Sequence, residues 1–530
     1  MITNLQMSEA KMRDPKTSFS FQLEDEAATA RLAYALFPLL EAPFFISLQG
    51  DLGVGKSAFA RAFIQAQCGA ETIVPSPSFT LMQHYEAPRG DILHADLYRL
   101  SSPEEVHEMG LMEALDSHLC LIEWSANGDG VLPAADLIVE LDMLADAPDA
   151  RVVTLTCEDA ALLAKLRASV ARDGEIAAFL ADTAWGAADA TRAPLAGDAS
   201  TRRYERLTAK HDGTSAVLMD WVAGADGPAV YNGQSYSKVA HLAEAAPAYC
   251  RMNRWLEARD LVVPHLIAAD EAAGLVLMQD LGDTTLAALA KDQTRQQNDV
   301  PLFYAEAIAT LLHLHGYEAA DFLDDFDGTV QAVEASLFLD WYLPWRGVAV
   351  SDAARADWQA LWQRLGDGLM QTPKVSVLRD YHSVNLLWQG GAQARYRVGL
   401  IDVQDALAGH PAYDLVSLLQ DARINVAPQQ VARSYAAYTT ARFQTEDDIA
   451  AFGAAYAVAG AQRNLKIAGI FVRLCQRDGK AAYLDHLPRI LGYIQDNLAH
   501  PALAEVAAWM QAHAPEALDA DGLSLSESSR

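Results

Sequence analysis

Basic residues are scarce in this chain. Lys and Arg number 40 against 70 Asp and Glu in 530 residues, a formal net charge of −30. Binding a phosphate backbone needs clustered Lys and Arg, so strong direct nucleic-acid binding is excluded; an RNA involved in the function is held by another protein. Cysteine is also sparse. Cys68, Cys120, Cys157, Cys250 and Cys475 are scattered, with no C-x-x-C pair and no histidine at metal spacing. That excludes a disulfide framework and fits reduced thiols in a cytoplasmic protein. There is no apolar run of 18 residues to cross a membrane, and residues 1–20 lack the apolar core of a signal peptide. No repeat of 20–50 residues occurs. The length suggests two to four cytoplasmic domains of ~150 residues each, with no membrane partner.

What is present begins with Gly50-Asp51-Leu52-Gly53-Val54-Gly55-Lys56-Ser57. This is the G-x-x-x-x-G-K-S pattern of a phosphate-cradling P-loop. The apolar run 44–48 before it predicts a buried strand, and 58–66 after it has helical periodicity through Phe59, Phe63 and Ile64. Strand, glycine loop and helix N-terminus together point backbone N–H groups at an anion. Gly50, Asp51, Gly53, Val54 and Gly55 form the cradle. Lys56 reaches the β- and γ-phosphates of ATP, and the Ser57 hydroxyl holds Mg²⁺.

The flanks of the P-loop add further elements. Phe19 to Leu23 alternates like a strand, and Asp25 and Glu26 open a helix through Leu32, Leu36 and Leu40 that Pro43 stops. Pro75 and Pro77 fix a hydroxyl-rich loop ending at Thr80, which either brings a Ser or Thr to a metal or simply turns into a strand at 79–85. Asp96 follows the apolar Ile92-Leu93, and Glu123 ends the apolar run 119–122. Acids at two strand ends beside a P-loop suit metal binding and water orientation. The strand 151–156 closes this region. A helical stretch at 158–170 is then broken by Arg172-Asp173-Gly174, and a second helix through Ile176, Phe179 and Leu180 starts a new domain.

The segments 48–57, 74–81, 94–100 (His-Ala-Asp-Leu-Tyr-Arg-Leu) and 121–124 (Leu-Ile-Glu-Trp) occur in order at compact spacing. Together they resemble the bacterial ATPase of tRNA threonylcarbamoyladenosine biosynthesis, the TsaE family. The resemblance implies a P-loop α/β domain over 18–157 that binds ATP and Mg²⁺. It also implies docking on the proteins of the tRNA threonylcarbamoyl-transferase complex. Lys56 and Ser57 then bind phosphate and metal, Thr80 lies in a switch-like loop, Asp96 and Glu123 serve metal and hydrolysis, and Trp124 flanks the nucleotide.

Three later stretches carry chemistry. Gly197 to Tyr204, with Ser200, Thr201 and Arg202, lies between strand-like segments and reads as a hairpin turn or a phosphate loop. Asp380 is followed five residues later by Asn385, and Asp402 ends the apolar run 398–401. A base and two metal ligands in that order fit phosphoryl transfer. Glu334, Asp340, Trp341 and Tyr342 sit at helical spacing and fit either substrate or core. Arg463, Asn464 and Lys466 meet a substrate carboxylate or form a solvated helix face.

These stretches, with 195–204, 277–283, 337–343, 379–386, 401–406 and 413–419, resemble the aminoglycoside phosphotransferase and choline kinase superfamily. Within it they are most similar to the anomeric kinases for N-acetylmuramate and N-acetylglucosamine of cell-wall recycling. The resemblance implies a two-lobed, α+β protein-kinase-like domain over 173–515, after a helical linker at 158–172. A polar lead (1–17) and a disordered acidic tail (516–530) complete the chain. Met278 and Gln279 lie near the adenine hinge, with Ser200 and Arg202 over phosphates. Asp380 is the base, Asn385 and Asp402 hold Mg²⁺, and Glu334, Asp340 and Arg463 face the amino sugar. Two features depart from the pattern. Leu378 replaces the loop histidine, and the strand 216–220 lacks the phosphate-pairing Lys, for which Arg202 or Arg203 can substitute. Alternatives are a kinase of another small hydroxyl substrate, such as choline or an aminoglycoside, or a P-loop scaffold with a non-catalytic kinase lobe.

Overall fold

The computed structural model describes residues 16–519 except 70, 79, 88–89, 187–189, 196–201, 223, 225–226, 293, 296–298 and 391–396. Packing divides the chain into two compact units, 1–218 and 219–530. No described helix is long and apolar enough to cross a membrane.

The first unit is built on a seven-stranded mixed sheet. Its strands are β1 (Ser18–Leu23), β2 (Phe44–Gln49), β3 (Met82–Tyr85), β4 (Ile92–Asp96), β5 (Leu119–Glu123), β6 (Leu137–Leu144) and β7 (Ala147–Thr156), in the order β1-β7-β6-β2-β5-β4-β3. The central strands β6, β2, β5 and β4 are parallel. Such strands are buried on both faces and read as continuous apolar runs. Alternate residues of β5 go to opposite cores: Leu119 and Leu121 to one, Cys120 and Ile122 to the other. The first core is closed by helices α1 (Glu26–Leu36), α2 (Lys56–Cys68) and α3 (Ala160–Ala181). Phe59 and Phe63 of α2 are fully buried there, each worth ~1.5–3 kcal/mol of apolar burial.

Two expectations for this unit need correction. Helix α1 is capped by Asp25, which accepts from the Ala28 N–H at 2.7 Å, but it ends at Leu36 and gives way to a 3₁₀ turn, Phe37–Leu39. Pro38 supplies no N–H to carry the helix on, so Leu40 is extended, though still buried. The break at 172–174 is absent: α3 runs unbroken for 22 residues. One interior Gly costs a helix only about 1 kcal/mol. Against that, Asp173 is held by Arg192 at 3.0 Å and Arg31 at 3.6 Å, while Arg172 pairs with Glu175 at 2.6 Å. Leu163, Leu166 and Val170 place the helix in the first core.

The helices of the second unit pack around a core that includes Trp358, Trp362 and Trp509, with Trp358 and Trp509 ring centroids 4.6 Å apart. Helices Gly328–Leu337, Asp352–Leu369 and Glu446–Asp478 contribute to it. Tyr342 belongs to this core and Trp341 packs against it. Residues 516–519, expected to belong to a disordered tail, are placed. The Tyr342 hydroxyl donates to the Ala517 carbonyl at 2.6 Å, Arg346 donates to the Asp519 carbonyl at 3.0 Å, and Ala517 is buried. Residues 520–530 lie outside the described residues.

Two short antiparallel pairs organise the remaining chemistry. Val375–Val377 pairs with Leu407–Gly409, and Leu386–Trp388 pairs with Val398–Leu400. Loop 378–385 links the first strands of the two pairs, and loop 401–406 links the second strands. Pairing therefore fixes both loops side by side.

Candidate functional site

The P-loop leaves β2 at the centre of the first sheet, beside the carboxyl ends of β4 and β5. Ligands bind there in open α/β sheets. Gly50, Gly53 and Gly55 have φ of 130°, 79° and 116°, values that favour glycine. A Cβ on Gly50 would also collide with the Leu141 carbonyl. Lys56 opens α2 and is buried. Its ammonium donates to the Gly50 carbonyl at 2.7 Å and the Asp51 carbonyl at 2.9 Å. It also lies 4.0 Å from the Trp124 ring centroid, a cation–π distance. Burial lowers its pKa, opposed by the charges of Glu123, Asp96 and Asp51.

Parallel register sets Asp96 directly opposite Glu123. Both are buried, and Glu123 Oε1 lies 3.0 Å from His94 Nε2. Burial raises the Asp96 pKa and Glu123 adds to the rise, while the Tyr98 N–H, His94 and Lys56 oppose it. Thr80 is exposed. The next residue, Leu81, accepts the Asp96 N–H at 3.0 Å, which ties the proline loop to β4. Trp124 sits at φ 58°, its ring 5.0 Å from Tyr98. The Ser57 hydroxyl and two carboxylates make an all-oxygen donor set. Mg²⁺ suits it, because that ion takes one or two carboxylates and completes its shell with phosphate and water. Among the described residues no group of three acids, histidines or cysteines forms a metal cage.

In the second unit the loop 378–385 hangs from two buried acids that sequence reasoning did not single out. Asp414 accepts the N–H of Leu378 at 2.8 Å and of Arg379 at 2.9 Å. Asp421 accepts the Ser383 N–H at 2.7 Å. These anchors hold the loop, which carries Leu378 where a loop histidine was expected. The available signal was an acid inside the apolar helix Ala412–Leu419, since a buried charge needs partners.

Asp380 keeps a side chain 39% exposed on this otherwise buried loop. Burial pushes its pKa up, but His382, Lys466, Arg463 and Arg379 outweigh that and hold it below the ordinary carboxylate value. His382 Nε2 lies 3.7 Å from Asp380 Oδ1. Burial and Arg423 lower the His382 pKa to about 4, against Asp380 and Asp421. The Asn385 amide donates to the Asp380 carbonyl at 3.1 Å, and the Asn385 carbonyl accepts the Ile401 N–H at 3.2 Å. Asp402, at φ 61°, follows immediately and accepts from Gln404 at 3.1 Å. Asn385 and Asp402 thus come from adjoining loops, and their side-chain oxygens are of the kind Mg²⁺ takes.

The other expected site residues separate. Glu334 is fully buried and paired with both Arg379 and Lys466, the latter at 2.8 Å. Asp340, in a π-helical turn (Phe338–Tyr342), instead meets Arg355 at 2.6 Å on the surface. Segment 463–466 is not a solvated face, because Arg463 and Asn464 are buried. Met278 is buried with its sulfur 3.2 Å from the Tyr249 hydroxyl, and the Gln279 N–H is committed to the His265 carbonyl at 2.8 Å. Arg202 is half-buried before the strand Arg203–Ala209; Ser200 and Thr201 lie outside the described residues.

Residues 23–152 match the family described as Threonylcarbamoyl adenosine biosynthesis protein TsaE, and 191–452 match the Phosphotransferase enzyme family. A tRNA threonylcarbamoyladenosine biosynthesis protein TsaE of Rickettsia bellii is 44% identical over 136 residues, covering 26% of this chain and 93% of that protein. An N-acetylmuramate/N-acetylglucosamine kinase of Caulobacter vibrioides is 37% identical over 363 residues, covering 65% of this chain and 97% of that protein. The chain belongs to both families. It is a TsaE domain fused to a phosphotransferase-family kinase domain. The TsaE domain is a mixed α/β sheet, and the kinase domain is two-lobed. A choline/ethanolamine kinase family protein from Mesorhizobium loti matches 64% of this chain and 99% of that one at 14% identity, with a TM-score of 0.40.

Proposed function

We propose that the chain is bifunctional. Its TsaE domain hydrolyses ATP in support of threonylcarbamoyladenosine formation in tRNA, acting on the proteins of the threonylcarbamoyl-transferase complex. Its kinase domain transfers the γ-phosphoryl group of ATP to the anomeric hydroxyl of N-acetylmuramate or N-acetylglucosamine. The observation that carries the second reading is the meeting of Asp380, Asn385 and Asp402 on two loops held by paired strands. The Asp380 carboxylate, kept ionised and partly open, accepts the proton of the sugar hydroxyl as its oxygen attacks phosphorus. Mg²⁺ held by Asn385 and Asp402 supplies charge neutralisation on the phosphates. Glu334 acts one step back, orienting Arg379 and Lys466. Met278 and Gln279 border the adenine.

In the TsaE domain, Lys56 exchanges its two carbonyl partners for phosphate oxygens. Ser57 and Glu123 hold the metal, Asp96 orients water, and Thr80 and Trp124 border the nucleotide. The test for the kinase is ³¹P NMR of the protein with ATP, Mg²⁺ and each sugar. A sugar 1-phosphate signal is expected with the native protein and none with Asp380→Asn. A signal that persists in the variant removes Asp380 from the mechanism, and its absence from the native protein removes the substrate. For the TsaE domain, Lys56→Ala should lower threonylcarbamoyladenosine in the tRNA of a strain that depends on this gene. Unchanged modification there would refute that role.

A further inference from the structure

Helix Glu446–Asp478 presents residues 462–466 to the interior of the kinase domain, and most of their polar groups are used. Gln462 donates to Glu334 at 3.0 Å and Lys466 does so at 2.8 Å. Asn464 donates to Gln420 at 2.7 Å and to the Gly460 carbonyl at 2.8 Å. Gln462 Oε1 and Asn464 Oδ1 also lack partners, but as acceptors; Arg463 is the cation and the donor among the unpartnered groups of this segment. It is only 3% exposed, yet its Nη1 has no hydrogen-bond partner. A buried guanidinium N–H left without a partner is costly, so its retention needs an account.

A second orphan lies nearby. Tyr413 is 3% exposed and its hydroxyl also has no partner. Its ring is fixed edge-on against Phe326 at 4.9 Å, so the hydroxyl has little freedom to find one. Tyr413 adjoins Asp414, which accepts the Leu378 and Arg379 N–H groups, and Arg463 adjoins Gln462, which donates to Glu334, the partner of Arg379; both orphans thus border the residues that lead into Asp380. The neighbouring cations are already matched, since Arg379 and Lys466 share Glu334. Arg463 is therefore a cation available to an anionic group on the same molecule whose hydroxyl faces Asp380. Arginine and a hydroxyl donor are the groups that recognise a carboxylate.

We infer that Arg463, assisted by the Tyr413 hydroxyl, forms a carboxylate subsite next to Asp380 that receives the lactyl carboxylate of an N-acetylmuramate-type sugar. This rests on the amino-sugar kinase reading above and goes beyond it by naming the residues that separate the acidic sugar from the neutral one. Phosphoryl transfer itself is unaltered: the bond from phosphorus to the ADP oxygen breaks, the bond to the anomeric oxygen forms, and the proton goes to Asp380.

The test crosses enzyme and substrate. Steady-state kcat/KM is measured for N-acetylmuramate and for its methyl ester, on native protein, Arg463→Gln and Tyr413→Phe, with N-acetylglucosamine as a third substrate. On native protein the acid should exceed the ester about 10- to 100-fold, carried by KM, as a charge-assisted contact gives. On Arg463→Gln that ratio should collapse toward one, and on Tyr413→Phe it should fall about 3- to 10-fold. An undiminished ratio in Arg463→Gln overturns the inference, as does a rise in the KM for ATP in place of the sugar. Equal use of acid and ester by native protein does so without any variant, so a misfolded substitution cannot shield it. If native protein phosphorylates no sugar, the kinase reading itself fails. If it phosphorylates N-acetylglucosamine but ignores the carboxylate, only the subsite fails.

Discussion

Removing the Asp414 carboxylate should release the catalytic loop. The side chain is fully buried and accepts two main-chain N–H groups, at 2.8 and 2.9 Å, from the residues just before Asp380. Asp414→Ala leaves both donors buried and unpaired, at about 1–3 kcal/mol each, or about 2–6 kcal/mol together. Domains are typically stable by only about 5–15 kcal/mol, so the loss is large. It is also local, because the acid contacts loop backbone and His315, whose Nε2 lies 3.6 Å away. Amide hydrogen exchange resolves this. Protection of residues 378–385 should fall by about 30-fold or more, at 1.36 kcal/mol per factor of ten. Turnover should fall at least about 100-fold, the scale for a catalytic group displaced by an ångström. Asp414→Asn should lie between, since the amide keeps one acceptor but turns a second donor toward an N–H. Native-like protection across 378–385 in Asp414→Ala would refute the view that this acid anchors the loop.

In the TsaE domain, Asp96→Asn should raise thermal stability at neutral pH while abolishing hydrolysis. The fold raises the Asp96 pKa, so the native state binds protons the unfolded chain has lost, and the ionised carboxylate costs stability above that window. The gain, followed by thermal unfolding, should vanish as pH falls toward 3.8. In the kinase domain, His382 is held near a pKa of about 4 against 6.5 when free. The unfolded chain therefore takes up a proton first, and stability should drop as pH falls from 6.5 toward 4. Urea unfolding of His382→Gln should show a flatter profile across that interval.

The ease of reading these elements from sequence followed how local their physics is. The P-loop, its strand and its helix depend on contiguous glycines and apolar spacing, and all were legible. Asp96 and Glu123 were legible as strand-end acids, because β4 and β5 are short apolar runs. Their pairing was not, since parallel register is decided by partners 27 residues apart. Asp414 and Asp421 were missed as anchors of the loop because a buried acid declares its role only through distant partners. The continuity of α3 was misread for the same reason: Gly174 is a local signal to stop, whereas Arg31 and Arg192 are distant instructions to continue.

That helix bears on how such a gene can be inherited. Its first half supplies Leu163, Leu166 and Val170 to the core of the TsaE domain, although the TsaE family match ends at 152. A mutation dividing the reading frame within 158–181 would leave the upstream product without part of its interior. The two products would also lose the fixed one-to-one dosage of a single polypeptide. Fission within this helix is therefore costly, and a viable split has to fall beyond residue 181.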